Sequence, residues 1–194
     1  MMSKQTNHGG ILLMCMTAGT MLLATGCQQP ANRVTIETFS QPLTPEKYGT
    51  DFTEAYYAET ARGGLDIVLR WKQPSKIDPS QDMEQIVHIA TFWKPKYGTT
   101  HAESTMINAR LRFAILTPPT GALYEGGGFL TFKPSWDKKA LIAYLESGDL
   151  APTRTVGGAK EPFGPARIQG TLRIVHDEGA AMRLLHAAER KLGL

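Results

Sequence analysis

His101 and Glu103 stand two residues apart, so on a strand their side chains would share a face and offer an imidazole and a carboxylate to one divalent metal ion. His88, on an apolar segment further back, is the third donor that such a site would need. The spacing matches no metal-binding signature, and the same residues read more simply as a polar loop beside a half-buried strand histidine. His176-Asp177-Glu178 also pairs an imidazole with carboxylates. There, however, Asp177 is placed to cap a following helix and Glu178 to complement its dipole, which explains both without catalysis. Glu125-Gly126-Gly127-Gly128 lacks the Lys-Ser/Thr ending of a phosphate loop and suits a bulge or tight hairpin instead. No serine sits in Gly-x-Ser-x-Gly. The remaining chemistry is aromatic. Trp93 and Tyr97 flank a loop, next to Phe92, and are the candidates for stacking on a sugar ring, a small ligand or a partner chain. Tyr56-Tyr57 must point to opposite faces of any strand, whereas Trp71 lies on an apolar face and reads as core.

The elements that would position these residues are mostly strands. Residues 33–39 alternate, with Val34 and Ile36 on one face, and 65–72 alternate most clearly, with Leu65, Ile67, Leu69 and Trp71 against Asp66, Arg70 and Lys72. Residues 83–93 are β-branched and aromatic. Residues 106–116 place Ile107, Ala109, Leu111, Phe113 and Ile115 inward and Asn108, Arg110 and Arg112 outward. Thr117-Pro118-Pro119-Thr120-Gly121 is a turn, after which 122–133 return as a strand pair or one bent strand. Residues 167–176 alternate again. Residues 52–60 fit a strand or a short helix, and 40–49 a loop. Helical spacing is expected over 138–146, capped by Ser135 or Asp137, and over 179–192, where Ala181, Leu185, Ala188 and Leu192 form a stripe. The Gly- and Pro-rich stretch 150–165 reads as a long loop or flap. The class expected is mainly β, an antiparallel β-sandwich or open barrel with a short helix near 138–146 and a C-terminal helix covering an open end or a sheet edge.

Ahead of this domain lies an apolar run, residues 11–24, preceded by Lys4 and no acidic residue, and ending in Leu23-Ala24-Thr25-Gly26-Cys27. The run is shorter than the roughly 20 apolar residues that cross a bilayer as a helix. A charged start, a short apolar core and a small-residue exit mark a secretory leader. The ending resembles the lipobox of bacterial lipoproteins. Cys15 fits less well, because bulky Met14 precedes it and the apolar core before it would hold only four residues. The resemblance implies cleavage before Cys27, lipid on its sulfur, and acylation of the new amino terminus. With Gln28 and not Asp following, it further implies the outer membrane where a cell has two.

Removing 26 of the 194 residues leaves 168, enough for one sizeable core, and only Lys4 among the charged residues goes with them. The remaining 20 basic and 18 acidic side chains are scattered, so nucleic acid is not an expected partner. With Cys15 discarded and Cys27 acylated, no thiol remains for a disulfide, thiol catalysis or cysteine-bound zinc. The expected organisation is a leader at 1–26, a lipidated Cys27 with a tether to 32, and a β-rich domain over 33–194. The expected role is that of a membrane-anchored envelope lipoprotein working through protein contacts, without cofactor and more as a binding or structural module than as an enzyme. A ligand or glycan module on Trp93 and Tyr97 is the alternative, and a metal enzyme on His88, His101 and Glu103 a third.

Overall fold

The computed structural model describes residues 32–39, 44–75, 79–93, 107–160 and 162–192. These residues form β1 (Arg33–Thr38), β2 (Glu46–Asp51), β3 (Glu54–Glu59), β4 (Leu65–Pro74), β5 (Asp82–Thr91), β6 (Ala109–Thr117), β7 (Thr120–Pro134), β8 (Ala140–Val156), β9 (Ala166–His176) and α1 (Glu178–Leu192). From β3 onward each strand pairs antiparallel with the next. β9 then meets β3 in parallel, through Tyr56↔Val175 and Tyr57↔His176, and this short seam closes a seven-strand barrel. The rest of that edge of β9, residues 166–171, pairs with β1, which carries β2 on its outer side.

Period-two alternation fills the barrel. Leu65, Ile67 and Leu69 of β4, Val87 and Ile89 of β5, Leu111 and Phe113 of β6, Tyr124 of β7 and Leu172 and Ile174 of β9 are all buried in one interior cluster. A second cluster lies outside the barrel wall, where Val68, Ile86, Ala114 and Leu123 meet Ala181, Leu184, Ala188 and Leu192 of α1. The helix therefore covers an outer face, and not an open end or an edge as its position in the chain suggests. The reason is the apolar patch that β4–β7 turn outward. Asp177 caps α1 as expected: its carboxylate accepts the Ala180 N–H at 2.8 Å.

β7 is one bent strand, with register shifts at Leu123/Tyr124 and Phe129/Leu130. A Cβ on Gly126 would lie 1.8 Å from the Asp149 carbonyl oxygen, so the glycines serve close approach of β7 and β8. The helix expected at 138–146 is absent: those residues lie in the 135–139 turn and the first half of β8. That part of β8 buries residues on both faces, Ala140, Ile142, Ala143 and Leu145, so no alternation marks it as a strand, while Ala and Leu favour a helix in isolation. β8 also takes the first residues of the expected 150–165 loop, and β2 takes the end of the loop expected at 40–49. Ile107 and Asn108 are reversed from expectation. Ile107 is exposed and Asn108 buried, because the Asn108 carboxamide donates to the Leu130 carbonyl (2.7 Å) and accepts the Leu130 N–H (2.8 Å) where β6 begins.

Candidate functional site

The two ends of the barrel differ in chemistry. One end gathers the β6–β7 turn at Pro118-Pro119 and the 157–165 loop. The loop turns its Phe163 inward, 6.0 Å from the Tyr124 ring, 6.3 Å from Phe113 and 5.0 Å from Tyr48, and the Phe163 N–H donates to the Tyr124 hydroxyl at 3.3 Å. The expected flap is thus a stopper. Beside it the Tyr48 hydroxyl donates to Glu46, and that bond to a carboxylate raises the phenol above its usual pKa.

The other end is a rim made by the ends of β3, β5, β7 and β9 and the starts of β4, β6 and β8. Here the seam pairing of β3 with β9 stops after two register positions, and the strands part, β3 into the 60–64 turn and β9 into α1. The gap is a cleft of about 440 Å³ lined by Tyr57, Glu59, Lys138, Lys139, Leu141 and His176. The Tyr57 and His176 rings meet at 5.1 Å. Two ammonium groups and an imidazole against one carboxylate suit an anionic ligand with an apolar or planar part, and the volume falls within the roughly 300–1,000 Å³ of small-molecule sites.

The 135–139 turn that carries the lysines is rigidly built. The Ser135 hydroxyl donates to the Asp137 carboxylate and accepts the Ala140 N–H at 3.0 Å, and Asp137 accepts the Lys139 N–H at 3.1 Å. The Arg173 guanidinium completes the set at 3.2 Å from Asp137. The Ser135 bond above all, then the Lys139 amide and Arg173, hold Asp137 below the usual carboxylate range against the opposing effect of desolvation. Lys138 takes a left-handed backbone conformation (φ 57°). The same turn lifts Trp136 off the body, 87% exposed. On the same rim Phe92 is 54%, Trp93 42% and Ile107 51% exposed.

Of the sequence-based candidates, Trp93 lies on this rim, its ring 5.9 Å from Phe92, so both of that pair face outward. Tyr97, His101, Glu103 and Cys27 fall outside the described residues. His88 projects from the outer face of β5, where Nε2 lies 2.9 Å from the Asp66 carboxylate, with Arg112 opposite it on β6. Arg112 and Arg110 in turn donate to Glu125 of β7 at 2.8 and 2.7 Å. Desolvation pushes the Glu125 carboxyl up, but the hydrogen bonds from Arg112 and Arg110 outweigh it and the net shift is downward. His88 is thus one link of a cross-strand polar row bordering α1, a role that accounts for it without a metal. Among the described residues, no three His, Cys, Asp or Glu side chains are grouped to hold a metal ion.

Trp136 and the cleft were not foreseen. An isolated tryptophan between Pro134-Ser135 and Asp137-Lys138-Lys139 is the available signal: a large apolar residue inside a turn-forming polar run has nothing local to pack on. Comparison with known proteins finds no matching family model, no matching curated protein and no matching solved structure.

Proposed function

We propose that the protein is a lipid-anchored module of the cell envelope that acts through its surface. The observation that carries this reading is the apolar run closing in Leu23-Ala24-Thr25-Gly26-Cys27, only five residues before the chain enters the folded barrel at Asn32. Five residues span at most about 18 Å, so a lipid on Cys27 holds the barrel against the bilayer. Two or more acyl chains give stable attachment where one does not. The barrel interior supports a surface role: Phe113, Tyr124, Ile67, Leu69, Ile89 and Leu172 fill it at full burial. Cell fractionation tests the anchor. The wild-type chain should sediment with membranes and take up labelled fatty acid, and Cys27→Ser should abolish the label. Equal labelling of the two would sink the reading.

The cleft favours a second reading, a small anionic ligand held by Lys138, Lys139 and His176 over the Tyr57 ring. Titration with inorganic phosphate, followed by NMR, should shift the His176 ring resonances, and Lys139→Ala should weaken the response. An unmoved His176 removes this reading.

A further inference from the structure

The first described residue and the turn bearing the exposed indole are linked through one side chain. Asn32, the first described residue, accepts the Arg173 N–H through its side-chain oxygen at 2.6 Å. The Arg173 guanidinium binds Asp137, and Asp137 is the neighbour of Trp136. The chain therefore leaves the barrel one side chain away from the turn that presents Trp136, Lys138 and Lys139. Along β9 from Thr171, which faces Arg33, to the rim at His176 is five residues, about 16 Å of strand, within the reach of the tether. A nearly bare indole next to lysines, with Phe92, Trp93 and Ile107 on the same rim, is the composition of a membrane–water interface: apolar bodies with polar edges, and cations placed for phosphates. At the opposite end Tyr48 is held against Phe163 and the barrel is stoppered.

From this we infer that the barrel stands end-on against the bilayer, with Trp136 inserted at the headgroup level and Lys138 and Lys139 set against lipid phosphates. The inference rests on the lipid anchor at Cys27 for its tether, and the test separates the two. Full-chain protein, purified as cells process it, is reconstituted into phosphatidylcholine–phosphatidylglycerol vesicles with or without nitroxide-labelled lipid. Tryptophan emission is compared between wild type and Trp136→Phe, a change at a solvent-exposed site that leaves the core intact. The Trp136 contribution should move to shorter wavelength and lose intensity with labelled lipid. Phe39 lies at the stoppered end, where its N–H donates to the Pro165 carbonyl at 3.2 Å. The emission that Phe39→Trp adds to the Trp136→Phe background, read by difference, should keep its intensity. Emission of Trp136 that ignores the labelled lipid overturns the inference, as does equal quenching of the two reporters. Shielding of Trp136 from aqueous iodide only after envelope proteins are added also overturns it, in favour of a protein partner. The mass of the same preparation tells the readings apart. Acylated Cys27 with unquenched Trp136 defeats only the end-on docking, and unacylated Cys27 with quenched Trp136 defeats only the anchor.

Discussion

Asn108 fixes where β6 can begin, because its carboxamide satisfies both backbone groups of Leu130 just where β7 shifts register. Asn108→Leu leaves a buried N–H and C=O without partners and should destabilise the fold by about 2 kcal/mol, measured by urea unfolding. Asn108→Asp places a buried carboxylate oxygen against the Leu130 carbonyl and should not recover that loss at neutral pH. Glu125 gives a pH signature. Its folded-state pKa is lowered, so its contribution is present above the unfolded value, about 4.3, and is lost as pH falls through the lower folded value. Glu125→Gln should therefore flatten the acid limb of the stability profile below about pH 4.3, while an unchanged slope would place the titration elsewhere. Individual residues were readable where one physical need dictated the type. Asp177 had to cap. The glycines after Glu125 suggest a bulge or tight hairpin in the sequence, whereas in the fold they lie inside β7 and permit close approach to β8. Asn108 was not readable, because an amide in an alternating run looks like an outward residue until the register of β7 is known.

Among the elements, α1 is held by burial: Ala181, Leu184, Ala188 and Leu192 lie against the outer wall, and Lys191 donates to the buried carboxylate of Glu84 at 2.6 Å. Leu184→Ala should cost about 2–4 kcal/mol in the same unfolding assay, and a loss near zero would mean the helix is not part of the cooperative unit. The parallel seam is the weakest join of the barrel, with two register positions where β7 and β8 share fourteen. Amide hydrogen exchange should therefore be faster at the seam than along β4 and β5, which pair over nine positions. Strands with one wet face, such as β1 and β9, could be read directly from their alternation. The first half of β8 could not: burial on both faces erases the period, and its Ala and Leu read as helical stripe. The place of α1 was hidden for a related reason. Val68 and Ile86 extend apolar runs in β4 and β5, and only the closed barrel reveals that they point outward.

At the level of the whole molecule, a filled and stoppered barrel has little interior to offer a ligand, and its distinctive chemistry collects on one rim near the start of the folded chain. The rim bearing Trp136, Trp93 and lysines suits the proposed anchor and short tether of a domain that works close to a lipid surface. The proposed address rests on composition and length alone, the properties by which targeting signals are recognised as unfolded sequence, and nothing in the fold bears on it. The rim was not readable in the sequence, since it joins residues from turns distant in sequence. The proposed anchor depends on the fate of Cys27. Mass spectrometry of the mature amino terminus measures it directly: the expected first residue is Cys27, carrying a diacylglyceryl group and an amide-linked acyl chain. An unmodified Cys27 peptide, or one still joined to Gly26, would contradict the lipid anchor.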